Sequence, residues 1–558
     1  MAKYLAAAAL GMCAVVVAAV ATGEGPIQFK DIAQSAGVHF ITANCPTPEK
    51  HQPETMPAGV ALLDYDGDGL LDIYLVNGAE MPSLEKTGPK YYNRLFHNNG
   101  NGTFTDVTER AGVAGSGYGM GAAVGDYDND GKPDLFVANV NRNQLFHNNG
   151  DGTFTDVTDK AGVAGVLFAG RKMWSISAGW FDYNNDGLLD LFVSNYCQWD
   201  PEHEPACTGV NGRGYCHPKS FAPLPNTLYR NNGDGTFTDV SHETGIDSVL
   251  GKGMGVAFAD YDRDGFTDIF VANDNSPNVL FHNIGGKRFE DVAFPAGVAY
   301  NEDGDAIAGM GAEFRDVNND GLPDIWHTAI ENETFPLFLN RGSGQFLNAS
   351  QRTRLAQLTR PMSGWSNGVV DLDNDGWKDL VVARGNVMDN IESVSRHFHY
   401  AEPNAVLRNL GNGTFQDVSA TAGVDFTRPA PNRGLAYGDF DNDGRVDLVI
   451  TALGGPARLV HNETLNHNHW LTLKLTGVKS NRMGIGARIE ITSAGGQHQW
   501  SEVTTSSGYA ASSDARVHFG LGSSGAVQQI EIRWPSGQRQ VLRNLAADQI
   551  LDVREPAN

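Results

Sequence analysis

The strongest constraint on this chain is a nine-residue phrase written seven times: Asp, any residue, Asp or Asn, any residue, Asp, Gly, two residues, Asp, then an apolar run. The copies begin at Asp64, Asp126, Asp182, Asp260, Asp316, Asp371 and Asp439. Carboxylates this dense repel one another unless something neutralises them. Oxygen donors around a turn-forming glycine suit a hard divalent cation. Successive copies lie 55 to 78 residues apart, so the phrase also marks a repeated structural unit.

Each unit reads as four short strands. In the second, residues 119–127 form a small-residue inner strand that runs into the acidic loop, and 135–138 continue after it. Residues 145–147 and 153–158 then flank an Asn-Gly/Asp-Gly turn, whose tolerance of positive φ closes hairpins. Four-stranded units in series are propeller blades, and the β-rich flanks argue against the helices of an EF-hand. The seventh unit lacks its Phe-x-Asp-Val strand, while residues 27–38 carry the missing phrase at the start of the chain. Closing the ring with that strand leaves no open edge at the seam. The expected fold is therefore all-β: a seven-bladed β-propeller over 27–464, closed by an N-terminal strand. From Asn468 onward, strands joined by Gly/Ser turns predict a separate, β-sandwich-like C-terminal domain over 465–555. Insertions at 197–225 in the third blade and 385–402 in the sixth either carry binding sites or only cap the ring.

The formal charge is −25, and the twenty-six aspartates of the seven loops match it in size. Seven divalent cations would cancel more than half of it. No basic stripe offers the footprint that nucleic acid needs, so no nucleic-acid partner is expected. Residues 1–21 hold one lysine, an apolar run and a terminal Ala19-Val20-Ala21, which reads as a secretory signal peptide. A retained membrane anchor and lipidation at Cys13 are the alternatives. No later segment is apolar enough to span a bilayer, so the mature chain is expected to be a secreted or periplasmic monomer. In an exported chain, Cys45, Cys197, Cys207 and Cys216 suggest two disulfides. The short span favours Cys207 with Cys216, leaving Cys45 with Cys197. A zinc site with His203 or His217 is the rival and lacks paired CxxC spacing.

The acidic loops beside Phe- and Gly-rich strands resemble the FG-GAP (VCBS-type) repeats of integrin α-subunit propellers. The tail, with Gly484-Ile485-Gly486-Ala487-Arg488 and Arg533-Trp534-Pro535-Ser536-Gly537, looks like an ASPIC/UnbV domain. The pairing is similar to that of the cartilage-acidic-protein-like family. The resemblance implies up to seven structural calcium ions in the blade loops, an extracellular or periplasmic life, and recognition of a protein or glycan ligand. Positions one, three, five and nine would then supply side-chain oxygens: Asp64, Asp66, Asp68 and Asp72; Asp126, Asp128, Asp130 and Asp134; Asp182, Asn184, Asp186 and Asp190; Asp260, Asp262, Asp264 and Asp268; Asp316, Asn318, Asp320 and Asp324; Asp371, Asp373, Asp375 and Asp379; Asp439, Asp441, Asp443 and Asp447. Position seven would add a backbone carbonyl. Asn184 and Asn318 each remove a charge, so weaker sites are expected there.

Catalytic phrases are missing or spurious. The chain has no HExxH or GxxxxGK[ST], and the GxGxxG at 520–525 precedes a strand rather than a helix. His467 and His469 read as linker residues. Arg396, His397, His399 and Tyr400 form either a ligand-contacting cluster or a solvated loop. Two functional classes stay open. One is a calcium-stabilised recognition protein. The other is a carbohydrate-active lyase or dehydratase, which needs a His or Tyr base and an Arg or metal converging at a channel mouth.

Overall fold

The computed structural model describes residues 26–209 and 212–557. The apolar opening segment at 1–21 lies outside them. Each acidic phrase folds as a tight loop between two antiparallel strands. Its fourth residue takes a left-handed backbone, with φ of 57° to 66° at Asn129, Asn185, Arg263, Asn319, Asn374 and Asn442. Asparagine tolerates that conformation better than most side chains, which explains its frequency at a position the motif leaves open.

Among the described residues, seven sheets share one antiparallel order. The first runs Val60–Leu63, Asp72–Leu75, Arg94–Asn98 and Phe104–Asp106, and the second Gly119–Gly125, Asp134–Asn139, Gln144–Asn148 and Phe154–Asp156. The inner strands of the third to sixth are Ser175–Phe181, Gly253–Ala259, Ala312–Arg315 and Gly364–Val370. In the seventh, Asn432–Gly438, Asp447–Ala452 and Arg458–Asn462 are completed by Phe29–Asp31, with Phe29 opposite Asn462. Each inner strand packs against the next, and the seventh against the first, so the sheets form a ring. The core lies between neighbouring sheets: Val60, Leu62, Ile73 and Leu75 of the first meet Ala436, Val449 and Leu459 of the seventh.

Two side chains stitch every junction but the one after the first loop. The asparagine that ends the third strand donates to a carbonyl in the preceding acidic loop: Asn148 to Tyr65 at 2.8 Å, Asn231 to Tyr127 at 2.7 Å, Asn283 to Tyr183 at 2.8 Å and Asn340 to Tyr261 at 2.9 Å. Asn409, Asn462 and Asn98 reach Val317, Leu372 and Phe440 and close the circle. In the other direction, the fourth loop residue donates to the glycine carbonyl of the next loop, as Asn129 does to Gly187 at 2.9 Å and Asn442 to Gly69 at 3.2 Å. Gly67 in the first loop has no side chain to do so.

Two further sheets follow. One joins Val517–Gly522, His469–Thr476 and Gln549–Arg554, and the other His498–Glu502, Arg488–Ser493, Ala526–Arg533 and Arg539–Ala546. Leu471, Leu473, Ile489, Ile491, Phe519, Ile530 and Ile532 belong to one buried cluster between them. The stretch after Glu502 departs from the expected run of strands joined by Gly/Ser turns. It enters the axis of the ring as a hairpin of Ser506–Ser507 and Ala511–Ser512.

Every inner strand bonds to this segment. Val60 and Ala61 pair in parallel with Ala511 and Ser512. The carbonyls of Val124 and Val256 accept from Thr505 Oγ1 (2.8 Å) and Ser506 Oγ (2.9 Å). Ser177 Oγ and Ser366 Oγ accept from the amides of Ala510 and Tyr509, both at 3.0 Å. Ala312 N donates to Gly508 O at 3.2 Å, and Asp514 N to Tyr437 O at 3.1 Å. Space at the axis dictates small residues. Gly508 has φ +54°, and a Cβ there would lie 2.3 Å from Ser366 Oγ.

Cys207 and Cys216 form the expected disulfide. The second pairing does not occur: Cys45 and Cys197 are separate thiols. The Cys45 sulfur faces the Tyr91 hydroxyl at 3.6 Å, while Cys197 is buried where its backbone bridges to Pro223 at the base of the insertion. The zinc alternative also fails, since His203 bonds Asp200 and His217 accepts from the Lys219 amide.

Asn231→Ala removes a buried donor and leaves the Tyr127 carbonyl unpaired, a loss of about 1–3 kcal/mol. Thermal melting should reveal a clear destabilisation, whereas Asn232→Ala, at an exposed neighbour, should melt close to wild type.

Candidate metal centres

The second loop shows how backbone geometry aims the carboxylates. Asp126 accepts from the amides of Asp130 (3.0 Å) and Gly131 (2.8 Å), which curls the loop around its first residue. Asp134 accepts from Asn148 N at 2.8 Å and Tyr127 N at 3.2 Å, tying the ninth position to the third strand and to the loop entrance. The glycine-to-first-aspartate bond recurs in every loop, from Gly69 to Asp64 through Gly444 to Asp439. The sequence-predicted positions are thus brought together within each loop. Ligand atoms of Asp64, Asp66 and Asp72 lie within 4.8 Å of one another, as do those of Asp128, Asp134 and His147.

Burial pushes these acids up: Asp72 to about 8, Asp126, Asp268 and Asp439 to about 7, and Asp134, Asp182 and Asp260 to about 6. Asp190, Asp324, Asp379 and Asp447 are likewise raised well above the usual carboxylate range by burial. Neighbouring carboxylates add to the shift in each loop. The donors within each acidic phrase are hard oxygen, and Asp64 Oδ1 is buried without a hydrogen-bond partner. These residues fit a calcium-type cation. Asn184 and Asn318 differ: each donates its amide to the fifth-position carboxylate, Asp186 at 2.9 Å and Asp320 at 3.0 Å. An internal hydrogen bond there replaces one charge repulsion.

Sequence reasoning missed one contributor. The residue before the third-strand asparagine faces the loop, and in four sheets it is histidine. His97 Nδ1 is 3.3 Å from both Asp66 and Asp72, and His147 Nδ1 is 3.4 Å from Asp128 and 3.3 Å from Asp134. His282 Nδ1 lies 3.2 Å from Asp268, and His461 Nε2 3.1 Å from Asp441. The bond to Asp268 raises His282 to about 9, and His147 and His461 are raised by the same kind of bond. The third, fifth and sixth sheets carry Arg230, Leu339 and Arg408 instead. The recurring LFHN phrase was the available signal.

The C-terminal sheets sit on these loops. Arg482 N donates to Asn129 Oδ1 at 2.7 Å, Arg516 Nη1 to Asn442 Oδ1 at 2.7 Å, and Gln497 to Gly376 O at 3.0 Å. Lys474 approaches Asp64 at 3.5 Å. A cavity of about 350 Å³ remains between the first two loops and Lys474, Arg482 and Arg516. At the other end of the axis, the Tyr509 hydroxyl donates to Met56 O at 3.0 Å, and the cysteine-bearing insertion reaches the 51–54 segment through Glu204 to His51 and Tyr215 to Glu54. His397, Arg396 and His399 are exposed, with His399 3.8 Å from Glu392, and His469 pairs with Asp548 at 2.6 Å. They do not converge on one site.

The repeat and the tail are both recognised by family models. An FG-GAP-like repeat matches residues 64–137, 126–193, 217–271, 260–327, 316–382 and 394–450, and an ASPIC and UnbV model matches 477–558. The chain belongs to the ASPIC/UnbV family of FG-GAP-repeat proteins. Among its relatives, cartilage acidic protein 1 of Mus musculus is 26% identical over 90% of this chain and 74% of its own length. The Xenopus tropicalis protein of the same name is 26% identical, over 89% of this chain and 64% of its own. Among solved structures, an Agrocybe aegerita lectin described as recognising non-reducing terminal N-acetylglucosamine covers 78% of this chain and 97% of its own, at 17% identity and a TM-score of 0.41.

The raised acids and histidines of this family member set a pH dependence. In chelator they bind protons more tightly when folded than when unfolded, so stability falls as pH rises through the window from about 6 to about 8. The melting temperature in excess chelator should be higher at pH 6 than at pH 8. Excess calcium should reverse the slope, because cation binding needs deprotonated carboxylates.

Proposed function

We propose that the protein is an exported, calcium-stabilised recognition protein. In this reading the seven sheets over 27–464 are the blades of a β-propeller, with structural calcium on one face. The ASPIC/UnbV-type domain at 465–555 is docked over that face, and the two insertions offer surface to a protein or glycan ligand. Export rests on the signal-like segment at 1–21 and on the Cys207–Cys216 bond, which belongs to oxidising compartments.

One observation carries the choice of recognition over catalysis. The axis, where acid–base groups of a ring enzyme would converge, is filled by 504–514, and that hairpin's polar groups are committed to the inner strands. The surface left for a ligand lies off the axis, on the rim, the insertion face and the cavity beside the first two loops. Calcium, when bound, would neutralise carboxylates and fix the turns between strands, coupling metal binding to folding.

A single site filled at 100 times its Kd stabilises by about 2.7 kcal/mol. Summed over several filled sites, excess chelator should lower the melting temperature by roughly 10 °C or more, with recovery on adding calcium. An unchanged melting curve would sink the calcium reading. Separately, incubation with acidic and neutral polysaccharides should give retention without new products by mass spectrometry. Calcium-dependent release of unsaturated or dehydrated sugars would make the protein an enzyme.

A further inference from the structure

The seven acidic loops are alike in sequence but not in what faces them. In the sixth, the residue before the third-strand asparagine is Arg408. Its Nε lies 2.6 Å from Asp373 Oδ2 and its Nη2 3.0 Å from Asp375 Oδ2. One planar guanidinium thus spans the third- and fifth-position carboxylates, two of the four groups that would otherwise converge on a metal. We propose that the chain's own Arg408 takes the cation's place in the sixth loop, which binds no divalent ion, so that the ring loads fewer ions than it has acidic loops. The proposal rests on the calcium reading of the other loops.

The physical case has three parts. A guanidinium stays charged at any pH a protein tolerates, and its fork matches paired carboxylates. Histidine stands at the same place in four other sheets, and its single ring nitrogen meets the carboxylates without the guanidinium's permanent charge and two-pronged span. Burial also differs. The Asp373 side chain is 2% exposed, against 22% to 37% for its counterparts Asp262, Asp66, Asp128 and Asp441. In that sheltered place an ion pair is screened less by water.

The third part is the cover. Asn466 and Asn468 both donate to Asp373 O, at 2.6 and 2.8 Å, and His518 meets Asn374 Oδ1 at 2.6 Å. Gly522 N donates to Asn374 O at 2.8 Å and Gln497 to Gly376 O. The C-terminal segment is therefore fastened to this loop, as it is to the first, second and seventh. Other basic residues near loops do less. Lys132 touches Asp130, Arg445 touches Asp443, and neither bridges two ligand positions. Arg230 in the third sheet turns to Tyr183.

The deciding experiment is the calcium anomalous signal from crystals of the full chain grown in calcium, with ions counted in parallel by native mass spectrometry. The native chain should show no peak among Asp371, Asp373, Asp375 and Asp379. Arg408→His, which copies the first, second, fourth and seventh sheets, should gain one ion there. His147→Arg should lose one at the second loop, a readout that stands even if the sixth-loop variant folds poorly. A peak at the sixth loop of the native chain, or no gain in a folded Arg408→His, overturns the proposal. Peaks at no loop at all would instead overturn the calcium reading on which it rests.

Discussion

Backbone groups on an edge strand must find partners, and a ring of seven sheets turns seven edges toward one axis. Here the obligation is met by a single excursion of the chain. Residues 504–514 leave the C-terminal sheets, reach all seven inner strands and return. Everything else about the arrangement follows from that commitment. The C-terminal sheets must lie over the loop face because their hairpin enters there, and the axis is no longer available to a ligand. Ala510 holds φ +57° at the tip, a conformation that costs an L-residue roughly 1–2 kcal/mol and persists because partners on every side fix it.

The loops beneath those sheets solve a different problem, the crowding of like charges. The chain answers it in several ways. Asn184 and Asn318 replace a carboxylate by an amide that bonds the next one. His97, His147, His282 and His461 lean on position three, position nine or both. Arg408 places a full positive charge across two carboxylates. The hydrogen bonds from Asn148, Asn231 and their counterparts run through the same loops to the neighbouring sheet, so loop charge and ring cohesion are not separable. Disturbing one loop loosens a junction as well as a turn.

Much of this was legible in the sequence because it repeats. A phrase written seven times with Asn-Gly turns between strands announces units, and the stray copy near Phe29 announces where the last unit finds its fourth strand, which is where Phe29–Asp31 pairs. The fourth loop position was visible as asparagine but unread, since its use depends on a left-handed backbone and a neighbour in the next sheet. The histidine of LFHN was read as part of a strand word. The hairpin could not be seen at all. TTSSGYAASS has no apolar period, because its partners are polar edges scattered from Val60 to Tyr437. The Cys45–Cys197 pairing failed for a similar reason, as arithmetic on cysteines ignores where each thiol is packed.

The hairpin also sets a clock on assembly. During synthesis the strand at Phe29–Asp31 emerges early, yet its partner Arg458–Asn462 comes more than four hundred residues later, and the axis stays unfilled until residue 514 has left the ribosome. No sheet of this ring can have its inner edge satisfied before nearly the whole chain exists. The ring closes, and its axis fills, only in the last stage of synthesis.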